Sequence, residues 1–372
     1  MSCLAVSDDI VAVSNAFYID FFYKSDNVIN KLTIDPSPSE DETVTDLIIS
    51  YDSKYLAVLL SLSKRVIIYE LQHMQQILNI TLPRRASKIR FNISNTQIFV
   101  ADKTGDVLSY DIPLGNNGIK ILGHLSLLLN VLQTDDSKYL ISCDRDEKIK
   151  VSCYPNTYNI QTYCLGHKEF VNHIELLPHL TEYLTSSSGD GTVKIWNYVN
   201  GILMHTIDTG NDLENTELQE KFCKTMDEDG IEVSSLPIVH YSISKYDENS
   251  SILAIAVHTY MKIMIYRLQS QNNKFSHNLI SELSVDQFPF AIKVSNLSLY
   301  VYDNADFKIK EYHILHKNEN IIIEFARDIQ VFKEQDCKSE KYDPDAIKVL
   351  FKRKFDNVQE YQERKKLRLE KS

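Results

Sequence analysis

The 372-residue sequence predicts an all-β fold, a seven-bladed propeller. Three observations predict it: a strand–turn–strand unit that recurs seven times, a spacing near 41–46 residues between most recurrences, and two Gly-His pairs set 43 residues apart.

The units run in order. IVAVSNAFYIDFFY ends at Tyr23 and KYLAVLLSLSKRVIIY at Tyr69. QIFVADKTGDVLSY ends at Tyr110 and KYLISCDRDEKIKVS at Ser152. EYLTSSSGDGTVKIW ends at Trp196, ILAIAVHTYMKIMIY at Tyr266, and LYVYDNADFKIKEY at Tyr312. Each holds an apolar strand, a polar turn and a second alternating strand, the pattern of a hairpin with one buried face. The ring must close to hide its sheet edges. The first unit begins near Val11, so a C-terminal strand from Ile321 to Phe332 is expected to pair with the N-terminal blade.

Gly123-His124 and Gly166-His167 each open a repeat. In the unit ending at Trp196, His167, one of Ser186 to Ser188, Asp190 and Trp196 make up the hydrogen-bonding set of a WD-type blade. A buried polar residue must find partners, so this set is read as structural and not catalytic. The other units lack the Trp and rely on apolar alternation. The fold expected is thus a seven-bladed WD-repeat β-propeller over residues 1–333, followed by a charged extension, 334–372, helical from about 345.

Two regions break the period. From 208 to 235 nine acidic side chains face two lysines, which reads as a solvated loop. From Phe351 onward the chain is basic, with eight cations against four acids, while the formal net charge of the whole is −11. Such asymmetry points to nucleic-acid contact by the tail. Phe351, Phe355, Val358 and Tyr361 recur at helical spacing. Lys352-Arg353 with Arg364-Lys365-Lys366 also has the form of a two-part nuclear import signal.

Several function classes are excluded by what is missing. No phosphate-binding Gly-rich loop, G-x-G-x-x-G, H-E-x-x-H or G-x-S-x-G occurs. The six cysteines form no C-x-x-C pair, which suits buried thiols in a reducing compartment. His313 and His316 are the one pair at metal-ligand spacing, too little for a site. The N-terminus lacks a signal peptide's basic start, and no apolar run nears the roughly 20 residues that span a bilayer. The expectation is a binding scaffold in nucleus or cytoplasm, with no enzyme activity, cofactor, metal or membrane contact.

Five segments go beyond a generic repeat: ADKTGDVLSYD (101–111), LGHLSLLLNV (122–131), ISCDRDEKIKVS (141–152), YCLGHKEFV (163–171) and LTSSSGDGTVKIW (184–196). With FDNVQEY (355–361) they resemble the WD-repeat, non-catalytic subunit of the eukaryotic tRNA (guanine-N7)-methyltransferase, called Wuho in insects. The resemblance is dense from Ala101 to Tyr198 and at the tail; elsewhere only the architecture matches. It implies a heterodimer with a separate, S-adenosylmethionine-binding methyltransferase that modifies a guanosine in the tRNA variable loop. It also implies a mainly nuclear location. The alternative class is a substrate adaptor, for example of a ubiquitin ligase, or a general interaction hub. On the first reading the partner contacts are Asp144, Arg145, Asp146, Glu147, Lys148, Lys168, Glu169, Phe170 and His173. The tRNA contacts are Lys352, Arg353, Lys354, Arg364, Lys365, Lys366 and Arg368.

Overall fold

A computed structural model describes residues 3–25, 27–34, 42–214, 216–272, 274–304, 306–317, 320–332 and 342–353. Among these residues, twenty-eight strands form seven four-stranded antiparallel sheets. The blades span 4–33, 44–81, 86–123, 128–164, 171–208, 238–284 and 291–330, numbered 1 to 7 from here on. In each, consecutive strands are neighbours, so the chain runs from the axis of the ring outward. The second and third strands are the most buried. Ile10–Asn15 and Ser250–Val257 are buried at every position, as strands covered on both faces should be. Sheets pack face to face through seven apolar clusters, several of them bridging neighbouring blades.

Ring closure differs from the sequence-based expectation. All four strands of blade 1 come from the N-terminus, with Leu4–Val6 innermost and paired to Val11–Val13. Asn320–Gln330 is the outer strand of blade 7 and pairs with Lys308–Lys317, not with blade 1. Among the described residues no strand is exchanged between the termini. The three-residue Leu4–Val6 is too short to show an alternation, and for that reason the sequence suggests a ring one strand short. Closure instead uses side chains. The inner strand of blade 1 packs beside those of blades 2 and 7. Val11, Val13 and Phe22 pack against Tyr300, Tyr302 and Ile309. The Asp20 carboxylate accepts from the Phe332 N–H at 2.8 Å, Asn15 donates to Asn304 at 2.7 Å, and the Arg327 guanidinium lies 4.8 Å from the Phe22 ring centre.

The acidic insertion is not a loop throughout. It holds a 3-10 turn at Thr209–Asp212 and a helix, α1, at Thr216–Glu228. Phe222 and Met226, four residues apart, share a helix face and are buried in the core of blades 5 and 6. Nine carboxylates hide a face carried by so few apolar residues.

The C-terminal segment crosses the end of the ring where the second-to-third-strand turns and the blade-to-blade connections lie. Pro344–Leu350 is a 3-10 helix with Asp343 as its cap. Phe351 inserts between Phe170, at 5.0 Å, and Phe222 of α1, at 6.3 Å between ring centres. The Tyr342 hydroxyl hydrogen-bonds His258 Nδ1 at 2.9 Å, and Lys348 pairs with Asp229 at 2.6 Å. The segment thereby roofs the central channel. The longer helix expected through Val358 and Tyr361 lies outside the described residues, as do Lys354, Arg364, Lys365, Lys366 and Arg368.

Candidate partner-binding rim

Two hydrogen-bonded sets organise the rim of blades 4 and 5. In blade 5, His167 Nδ1 lies 3.0 Å from Asp190 and Nε2 lies 2.8 Å from Ser186 Oγ. Trp196 Nε1–H donates to the same hydroxyl at 2.8 Å. These partners fix a neutral ring with its proton on Nδ1: Asp190 accepts from it, and Ser186 donates to Nε2 while accepting from Trp196. Burial lowers the His167 pKa against the pull of Asp190. Burial also opposes ionisation of Asp190. The bonds from His167, Thr192 and the Lys168 N–H outweigh it and hold the carboxyl well below its usual range. His167, Asp190 and Trp196 are joined in one buried hydrogen-bonded set, and Ser186 is the serine that links them.

Blade 4 repeats the set without a Trp. His124 contacts Asp144 at 2.8 Å and Ser142 at 2.8 Å. Asp144 also accepts from the N–H groups of Asp146 (2.9 Å) and Lys148 (3.1 Å), folding the turn that follows. This corrects one expected partner contact. Asp144 is 2% exposed and is an internal strut, not a rim charge. In sequence it is the first of five charged residues, and nothing in such a run separates the turn-forming carboxylate from the exposed ones.

Two other expected contacts move as well. Phe170 is fully buried, under Phe351 and against Gly189, where a Cβ would stand 2.4 Å from its ring. His173 lies on the inner strand Val171–Leu176 and points into the channel, 3.5 Å from Glu175 and 5.3 Å from the Tyr241 ring. A strand alternates its faces, and the residue after Asn172 falls on the channel side.

What remains at the rim is a compact charged group. Lys148 and Lys168 are exposed; Arg145, Asp146, Glu147 and Glu169 are half-buried. Lys352, expected to contact RNA, instead pairs with Glu147 at 2.5 Å and lies 3.9 Å from Asp146. Arg353 follows it at the edge of the described chain. Burial, with Glu147 and Asp190 adding to it, raises the Glu169 pKa to about 7 despite Lys352 nearby. That carboxylate is short of cations. Two apolar residues missed in the sequence flank the group: Leu125 beside His124, fully exposed, and Leu165 ahead of Gly166, 62% exposed. Their positions next to the Gly-His pairs were the available signal, since blade-to-blade connections lie on the surface.

Among the described residues no three His, Cys, Asp or Glu side chains are grouped to hold a metal, and no helix is long and apolar enough to cross a membrane.

Comparison with known proteins agrees with the fold and goes further. The WD40 repeats of RRP9 superpose with a TM-score of 0.64 at 18% identity, covering 87% of this chain and 94% of that one, a likeness of fold alone. Residues 24–120 and 116–306 match the family described as the tRNA methyltransferase TRM82 WD40 domain. The tRNA (guanine-N(7)-)-methyltransferase non-catalytic subunit wuho of Drosophila mojavensis is 32% identical over 297 residues, 78% of this chain and 70% of that protein. The Drosophila pseudoobscura pseudoobscura protein of the same name is 30% identical over 88% of this chain and 78% of its own. The Danio rerio subunit wdr4 is 46% identical over 139 residues, 36% of this chain and 33% of that one. A family match over most of the propeller, and relatives this similar over most of both chains, establish that the chain belongs to the WD-repeat, non-catalytic subunit family of the tRNA (guanine-N7)-methyltransferase.

Proposed function

We propose that the propeller binds the catalytic subunit through the rim of blades 4 and 5, centred on Arg145, Lys148, Lys168 and Glu169, and helps hold tRNA with its basic tail. The observation that carries this reading is where the chain leaves the ring. Phe351 anchors the C-terminal segment and Lys352 pairs with the Glu147 turn, so the tail starts beside the rim charges. An enzyme docked there and a tRNA held by the tail would be neighbours. Glu169, short of cations, suits a basic side chain of the partner, and Leu125 and Leu165 offer apolar area beside it. The two basic clusters of the tail support nuclear residence within the same reading.

Deleting 354–372 tests the tail. The propeller should stay folded, because the anchor at Phe351 remains. tRNA binding by the enzyme–propeller complex should weaken. Its salt dependence should flatten by about 0.7–0.9 in slope for each phosphate that the tail no longer neutralises. An unchanged affinity and slope would leave the tail with import alone.

A further inference from the structure

Beneath the roof of Tyr342–Leu350 the channel encloses a cavity of about 610 Å3, within the roughly 300–1,000 Å3 range of small-molecule sites. Inner strands send alternate residues into it: Lys88 and Arg90 from blade 3, His173 and Glu175 from blade 5, Lys293 from blade 7. Three cations thus line a space that also carries three carboxylates, those of Asp46, Glu175 and, on the roof, Asp343. Lys88 and Arg90 share one of them, Asp46, at 2.6 and 3.6 Å, and Asp46 also accepts from the Ile89 N–H. Glu175 faces His173. The Lys293 ammonium has no hydrogen bond or ion pair within 4.0 Å among the described residues, while its backbone pairs with Tyr300 in the sheet. Burial lowers its pKa; Glu175 opposes that, while Arg90 and Lys88 add to it. His173 and His240 are held at about 4 by burial, so neither adds charge near neutrality. On the roof, Asp343 turns one oxygen to the Asp345 N–H at 3.0 Å, capping the 3-10 helix. The end opposite the roof is open, where Tyr51 is 60% exposed.

We propose that the channel binds a small phosphorylated molecule, its phosphoryl group among Lys293, Arg90 and Lys88. A guanidinium and two ammonium groups around the cavity suit a phosphate, which supplies the acceptors that the Lys293 ammonium lacks. Tyr51, Phe290 and Tyr241 give the rest of the ligand an aromatic wall. The lining uses none of the rim charges and no residue of 354–372.

The test is calorimetry on the full chain with pyrophosphate and, separately, ADP at physiological salt. Saturable one-to-one binding of at least one probe is expected. Lys293→Gln should weaken it at least tenfold, Lys293→Arg should keep it within about threefold, and deletion of 354–372 should leave it unchanged. Glu175→Gln, which removes a competing negative charge, should tighten it. Should Lys293→Gln fail to fold, the arginine and Glu175→Gln variants still decide. The proposal is overturned if neither probe binds saturably, if binding vanishes with the tail but survives Lys293→Gln, or if Glu175→Gln weakens it.

Discussion

Replacing Trp196 with alanine is expected to cost the propeller about 3–5 kcal/mol, the range for emptying a fully buried large aromatic site. The indole is completely buried between blades 4 and 5, among Leu132, Ile141, Val151 and Leu184. Its removal leaves a cavity and takes away the donor to Ser186, whose hydroxyl also holds His167. The disturbance should therefore spread along the set, from Ser186 through His167 to Asp190 and the Lys168 N–H, and reach the rim itself. Trp196→Phe retains most of the packing and removes the hydrogen bond, so it should cost less, about 1–3 kcal/mol. Equilibrium unfolding in urea separates the two. Equal stabilities for both variants would mean that the hydrogen bond, not the packed volume, is what Trp196 contributes.

The second large effect is on assembly. Lys168→Glu should weaken the complex with the catalytic subunit roughly 30-fold or more, since removing one member of a charge pair desolvated at an interface costs about 2–5 kcal/mol. Lys168 is exposed, and among the described residues its side chain joins no ion pair, while its N–H is held by Asp190. The reversal should leave the melting temperature nearly unchanged. Arg145→Glu should act in the same direction. A pull-down at physiological salt in which both variants retain the enzyme would place the docking face elsewhere on the disc. His173→Glu is a poor companion test, because that side chain faces the channel and a glutamate there would meet Glu175 and disturb the blade.

The ring was legible in the sequence because its signal is repeated. Strands such as Tyr55–Leu60 and Tyr139–Asp144 are apolar runs that recur at multiples of nearly the same spacing. The blade 5 set was legible because His167, Asp190 and Trp196 occur together at fixed offsets. Features without a repeated signal were not legible. Leu4–Val6 is three residues long, and α1 buries two side chains amid many carboxylates. Phe170 reads as the end of an exposed Lys-Glu-Phe triplet, yet its cover is Phe351, far away in the chain. Lys352 reads as free for RNA, while its partners, Asp146 and Glu147, lie in a blade 4 turn. In each case the deciding contact is long-range, and composition or local spacing does not encode it.

The most direct test of the central claim is a reconstitution. The full chain and a tRNA (guanine-N7)-methyltransferase catalytic subunit from the same source are purified separately, then assayed alone and mixed for methyl transfer to tRNA. The account predicts a one-to-one complex by size-exclusion chromatography, transfer that is strong only in the mixture, and neither transfer nor S-adenosylmethionine binding by the propeller alone. Full activity of the enzyme without the propeller, with no complex formed, would contradict it.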